Sequence, residues 1–131
     1  MYKEDLEIAK KPRFNACSPY SNYQVGAALR TKSGKVYPGC NIENHGIQGI
    51  CAERTAFAKA LSEGEREFEC ITVVGAPKGE EVSGPCLPCG YCRQFMSEYG
   101  GKNFKVYALN ENNEIEEYTI DELLPHGFGI K

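Results

Sequence analysis

The placement of its cysteines constrains this chain more than any other feature. Three of the seven cysteines lie within residues 86–92, and a fourth, Cys51, begins the triplet Cys-Ala-Glu. Their number is odd, and the N-terminal residues lack the apolar segment of a secretory signal, which makes a disulfide scaffold the weaker interpretation. We therefore expect reduced thiols or a metal site, in a cytoplasmic protein.

Composition narrows the possible function classes. The 131 residues are 41% apolar and 25% charged, which is typical of a single globular domain, here residues 1–131. Since the chain has no run of 18 apolar residues, we expect no membrane span. The net charge of −3 argues against binding of long nucleic acids, which need a basic face, but leaves small neutral substrates such as nucleosides open.

Apolar patterning and turn residues predict an α/β fold. An N-terminal helix over 3–16 is interrupted near Lys11 because Pro12 cannot continue it. The small residues Gly26, Ala27 and Ala28 allow another element to approach the first strand closely. The element order favours a three-layer α/β/α sandwich, with a five-stranded mixed sheet and helices on both faces. We expect strands over 23–29, 36–40, 70–75, 104–109 and 115–119, and helices over 51–63, 89–99 and 121–124, the last capped by Thr119 or Asp121.

Three cysteines have the spacing of a metal site. Cys51 and Cys89 fall at expected helix N-termini, where the partial positive charge lowers the pKa of a thiol. Cys92 lies three residues after Cys89 and faces the same way. Three thiolates leave one open position on a tetrahedral zinc ion, which is typical of catalytic sites. A structural zinc with Cys86 as fourth ligand, or a redox pair, is the alternative.

Two residues next to Cys51 carry the chemistry that such a zinc would need. Glu53 could transfer protons between the attacking water and a substrate atom. Three thiolates and Zn²⁺ sum to a formal charge of about −1, which weakens the metal as a Lewis acid. Arg54 could offset this charge by a hydrogen bond to one of the thiolates.

These motifs resemble those of a known family. Cys-Ala-Glu followed by Pro-Cys-x-x-Cys is the signature of the zinc nucleoside and nucleobase deaminases. Further segments resemble the small cytidine deaminases, so that the likeness extends from about Pro19 to Gly129. The five segments that carry it are 20–29, 39–44, 51–56, 88–94 and 123–129.

The resemblance implies a zinc-dependent hydrolysis of cytidine and deoxycytidine to uridine and deoxyuridine, with release of ammonia, as in pyrimidine salvage. Cys51, Cys89 and Cys92 would hold the zinc, and Glu53 would transfer protons. The family is homotetrameric, with active sites shared between subunits. The implied substrate contacts are Tyr23, where the family has phenylalanine, Asn41 and Glu43 at the ribose, the backbone near Ala52, and Phe128 from a neighbouring subunit.

The chain departs from this pattern between Asn44 and Cys51. The segment 45–50 is one residue shorter than is usual in the family and lacks a tyrosine that reaches a neighbouring active site. Gly46 falls nearest to its place, and His45 could supply a polar contact instead. Two alternatives therefore stay open: a deaminase of another aminopyrimidine nucleoside, such as a blasticidin-type antibiotic, and an inactive, zinc-stabilised binding module.

Overall fold

One mixed sheet of five strands organises the chain. The computed structural model describes residues 2–129 and contains strands β1 (Tyr23–Thr31), β2 (Val36–Cys40), β3 (Phe68–Pro77), β4 (Lys105–Leu109) and β5 (Ile115–Thr119). Their order across the sheet is β2-β1-β3-β4-β5, in which only β3 and β4 pair in parallel. Because β2 and β3 are both antiparallel to β1, their carboxyl ends lie at the same edge of the sheet.

Helices cover both faces of this sheet, as the sequence predicts. On one face, helix α1 (Lys3–Lys10) packs Ala9 against Ala28 and Val74. On the other face, α2 (Ala52–Ser62) and α3 (Gly90–Tyr99) enclose the main core, where the Phe57 ring lies 5.5 Å from that of Phe95. None of the helices in the described part of the chain has the length and apolar character that a bilayer crossing requires.

The predicted elements are confirmed, with differences at their ends. α1 ends at Lys10 and a 3-10 helix occupies Pro12–Asn15, which is the interruption expected from the proline. β1 and β3 each extend beyond the apolar residues that predicted them. The short helix α4 spans Ile120–Leu123, and Thr119 caps it by accepting from the Glu122 amide at 3.1 Å.

Two glycines let helices approach the sheet at backbone distance. A Cβ added to Gly26 would fall on the carbonyl of Ala9 in α1, so the small residues of β1 do allow close approach. A Cβ added to Gly39 would lie 2.4 Å from the Ala52 carbonyl oxygen and 2.7 Å from the Ala56 amide nitrogen. The first turn of α2, which begins the Cys-Ala-Glu helix, is therefore set directly on β2.

Replacing Gly39 by alanine is expected to destabilise the fold. The new methyl group must displace α2 backbone, and overpacking of this kind costs about 1–3 kcal/mol of unfolding free energy. Urea denaturation of Gly39→Ala measures the loss. Gly129→Ala is the matched control, since a Cβ there meets no atom within 4 Å. Equal stability of the two variants would contradict the close packing of α2 on β2.

Candidate metal centre and active site

The three predicted thiols converge on one point. The Sγ atoms of Cys51, Cys89 and Cys92 all lie within 4.8 Å of one another, and those of Cys51 and Cys89 are 3.6 Å apart. Zinc–sulfur bonds of about 2.3 Å in a tetrahedral site place sulfurs about 3.8 Å apart. The donor set therefore fits a zinc ion with three thiolate ligands and one open position. Among residues 2–129, it is the one cluster of three potential metal ligands.

Two helix N-termini place these thiols. Cys51 is the N-cap of α2 and Cys89 is the N-cap of α3, and neither side chain caps its own helix. Their sulfurs are thus free for a metal. Cys92 lies in the first turn of α3 and is fully buried. The unpaired backbone amides of both helices place partial positive charge beside the thiols, which favours their ionised form.

Hydrogen bonding within the cluster already favours one thiolate. A hydrogen bond from Cys92, together with one from Arg54, lowers the pKa of Cys51 to about 5. The Cys92 thiol donates that hydrogen bond to Cys51 and is buried, and both effects raise its pKa. Binding of a divalent cation requires all three sulfurs to lose their protons, and the metal's own charge favours that loss.

Arg54 lies where the sequence predicts it, beside a thiol. Its Nη2 is 3.7 Å from Cys51 Sγ and 3.3 Å from the Gly49 carbonyl oxygen. The guanidinium also lies 4.3 Å from the centre of the Tyr91 ring. These contacts fix a positive charge next to a cluster that becomes anionic on metal binding.

Glu53 is buried next to the cluster. The residue is 4% exposed, and burial raises the pKa of its carboxyl group to about 7. The nearby Cys51 charge adds to this rise, while Arg54 and the residue's own backbone amide partly oppose it. A carboxyl group with such a pKa exchanges protons readily near neutral pH, which suits a general acid and base.

Cys86 does not join the metal cluster. It packs against the main core instead, beside Tyr23 and above Gly75 of β3. The four-cysteine arrangement of a structural zinc site, which the sequence left open, is therefore not formed in this structure.

A cavity of about 610 Å³ opens beside Cys51 and Arg54, and both predicted ribose ligands line it. The Glu43 carboxylate accepts hydrogen bonds from the Tyr20 amide at 3.0 Å and the Ser21 amide at 3.1 Å. The Ser21 hydroxyl, which also donates to it, lowers the pKa of Glu43 and keeps it ionised. No pattern in the sequence predicted that Tyr20 and Ser21 orient this carboxylate.

Asn41 has a structural contact that the sequence did not predict. Its Oδ1 accepts from the Val25 amide at 2.9 Å, and its Nδ2 donates to the Tyr23 carbonyl at 3.0 Å. The amide thus pins the loop after β2 to the start of β1. Any contact to a ribose hydroxyl would use the remaining N–H of Nδ2 or the second lone pair of Oδ1.

The other predicted substrate contacts do not line the cavity beside Cys51, and they differ in exposure. Tyr23 is partly buried at the start of β1, and Ala52 is fully buried at the first residue of α2. Phe128 is 80% exposed, which suits a side chain that packs on another subunit, and its carbonyl accepts from Gln94. At the cavity mouth, the His45 ring lies edge-on to Tyr20 at 5.9 Å.

The sequence did not single out Arg93, which holds the loop before the metal cluster. Its guanidinium donates to the Pro88 carbonyl and to the Leu123 carbonyl, each at 2.8 Å. In the sequence, only its position directly after Cys92 indicated a role near the metal cluster.

Comparison with known proteins agrees with this site. Residues 3–108 match the family model described as the cytidine and deoxycytidylate deaminase zinc-binding region. A cytidine deaminase of Sporosarcina psychrophila is 46% identical over 121 residues, which cover 92% of this chain and 85% of the relative. The crystal structure of a cytidine deaminase from Burkholderia pseudomallei superposes with a TM-score of 0.86, at 43% identity and 98% and 99% coverage of the two chains.

A relative with another named substrate is more distant. A blasticidin-S deaminase of Bacillus cereus is 33% identical over 129 residues, which cover 94% of this chain and 91% of the relative. This chain is thus more similar to the cytidine deaminase of Sporosarcina psychrophila than to the blasticidin-S deaminase.

Replacing Arg54 by glutamine is expected to weaken zinc binding. Loss of a partner that orients and neutralises a metal ligand typically costs about 10–100-fold in metal affinity. Competition against a chelator of known affinity measures the change. Arg66→Gln is the control, because this exposed arginine donates to the Leu61 and Glu65 carbonyls, away from the cluster. Unchanged zinc affinity in Arg54→Gln would remove this residue from the metal site.

Proposed function

Because the chain belongs to the cytidine and deoxycytidylate deaminase family, we propose that it hydrolyses cytidine and deoxycytidine to uridine and deoxyuridine, releasing ammonia. The observation that carries this proposal is the buried Glu53 carboxylate beside three converging thiols. A purely structural zinc site has no use for such a group, whereas hydrolysis of an amidine carbon needs one to move protons.

The residues of the site have different chemical roles. Cys51, Cys89 and Cys92 would hold the zinc ion, which supplies Lewis-acid activation of water near neutral pH. Glu53 takes a proton from the attacking water and delivers it to N3 of the pyrimidine, which keeps it in the product. It then moves the proton of the new C4 hydroxyl group to the departing amino group, which leaves as ammonia. Arg54 offsets the negative charge of the thiolates.

The substrate contacts fit a nucleoside. Glu43 and Asn41 bind the ribose hydroxyls from the cavity beside the cluster, and the ionised state of Glu43 supports this role. Backbone groups near Ala52 would bind the pyrimidine edge, and Tyr23 would line the part of the nucleoside pocket that holds the base, outside the cavity described above. Cytidine is favoured over a blasticidin-type substrate because the more similar relative is named for cytidine.

We also propose a homotetramer in the cytoplasm, as a single domain that acts in pyrimidine salvage without nucleic-acid or membrane partners. Several large apolar side chains are exposed, which favours an interface. Two of them, Tyr20 and Ile47, line the cavity. The exposed set includes Phe14, Tyr20, Ile47, Tyr91 and Phe128.

Glu53→Gln is expected to keep one zinc per chain but to lose deamination. The amide preserves the shape of the side chain and cannot exchange protons, and removal of a general acid–base costs about 10²–10⁴-fold in rate. Ammonia release from cytidine and metal analysis of the same preparation test this. Activity near the wild-type level would exclude Glu53 from the mechanism.

Phe128→Ala tests the shared active site. Loss of an aromatic ring packed on the base is expected to raise the KM for cytidine roughly 5- to 30-fold, with the zinc content unchanged. Light scattering of the wild type should give about four times the 14.5 kDa mass of the chain. A fully active monomer, or an unchanged KM in Phe128→Ala, is the contrary result.

A further inference from the structure

Cys86 is a thiol beside the candidate active site that the proposed chemistry does not use. It is partly buried and packs against the main core, outside the three-thiol cluster. Burial, followed by the nearby charge of Glu53, raises its pKa to about 12. Cys86 is therefore a neutral thiol at physiological pH, and its position outside the cluster argues against a role as a metal ligand.

Cys86 and Tyr23 meet above one glycine of β3. A Cβ added to Gly75 would lie 2.7 Å from Cys86 Sγ, 2.8 Å from the Tyr23 ring edge and 3.1 Å from the Tyr23 hydroxyl oxygen. No other residue type fits at Gly75 without moving both side chains. The Tyr23 ring and the Cys86 thiol are therefore neighbours, and burial, followed by this neighbouring thiol, raises the pKa of Tyr23.

The backbone around Tyr23 is fixed independently of Cys86. The Tyr23 amide donates to Ser21 Oγ at 3.1 Å, and its carbonyl accepts from Asn41. The buried Arg13 guanidinium also donates to the carbonyls of Gln24 and Ala76, which lie on the paired strands β1 and β3. Because the backbone is held in this way, the orientation of the Tyr23 ring depends on the contacts of its hydroxyl end.

We propose that Cys86 is a positioning residue, whose thiol holds the Tyr23 ring over Gly75 and thereby fixes the wall of the nucleoside pocket on the Glu53 side. This rests on the proposed function, in which Tyr23 lines that pocket. The position of Tyr23 matters because its hydroxyl is a polar group at a wall where the family has a phenylalanine. Without Cys86 beside it, the ring is free to turn and to carry that hydroxyl away from its place over Gly75.

Four variants separate positioning from simple packing. Cys86→Ala removes the neighbour of the Tyr23 hydroxyl, and Cys86→Ser keeps a polar neighbour of similar size. Tyr23→Phe removes the hydroxyl itself, and the double variant Tyr23→Phe/Cys86→Ala removes both halves of the contact. Cys70→Ala is the matched control, since Cys70 is a buried thiol on β3 whose pKa is likewise raised to about 12, but its charged neighbours are Asp5 of α1 and Arg30.

Steady-state kinetics with cytidine, zinc content and thermal unfolding are measured for each variant. Loss of the contact in Cys86→Ala is expected to raise KM about 3- to 10-fold with kcat within about twofold. One zinc per chain should remain. Cys86→Ser should stay near the wild type, and the double variant should be no worse than Cys86→Ala, because the two substitutions remove the same contact.

Three results would overturn the proposal. The first is that Cys86→Ala and Cys70→Ala have the same KM and kcat. The second is that the double variant changes KM by the product of the two single changes, and the third is that Cys86→Ala loses its zinc. The last would make Cys86 a metal ligand. Failure of the proposed function is distinguished from these by the wild type, which would then release no ammonia from cytidine or deoxycytidine.

Discussion

The N-termini of α2 and α3 meet at the three thiols, and the arrangement of the other site residues follows from this meeting. β2 and β3 run in the same direction, so the helices that follow them, α2 and α3, begin at the same edge of the sheet. Gly39 sets α2 directly on β2, and the aromatic contact between Phe57 and Phe95 joins α2 to α3. Cys51 and Cys89 therefore lie 3.6 Å apart at their sulfurs, although they are far apart in the chain.

Charge explains why other residues gather around this point. Three thiolates with one divalent cation remain anionic, and the two helix N-termini and Arg54 supply compensating positive charge. Glu53 lies in the same region but is buried, so that its raised pKa of about 7 keeps it able to carry a proton. Glu43, which lines the cavity, has the opposite environment. Hydrogen bonds from Tyr20 and Ser21 keep that carboxylate ionised, which suits ribose hydroxyls rather than proton transfer.

Local signals in the sequence predicted most of the fold. Pro12 ended the first helix where expected, and the fold class follows from the order of strands and helices. Strand ends were less predictable, because β1 continues through Arg30 and Thr31, whose polar side chains interrupt the apolar pattern but find partners in the fold. The Thr31 hydroxyl closes the hairpin by donating to the Lys35 carbonyl and accepting from the Lys35 amide, and the Arg30 guanidinium binds Asp5. The contacts of Asn41 and Arg13 with distant backbone carbonyls, and the separation of Cys86 from the metal cluster, depend on tertiary neighbours that spacing along the chain does not determine.

The measurement that tests this account most directly combines metal analysis of the purified protein with ammonia release from cytidine. We expect one zinc per chain and rapid, catalytic release of ammonia from cytidine. Both should be lost when a strong chelator removes the metal and return when zinc is restored. A protein without zinc that still deaminates cytidine would contradict the assignment of the three-thiol cluster. One zinc per chain with no turnover of cytidine or deoxycytidine would contradict the proposed reaction.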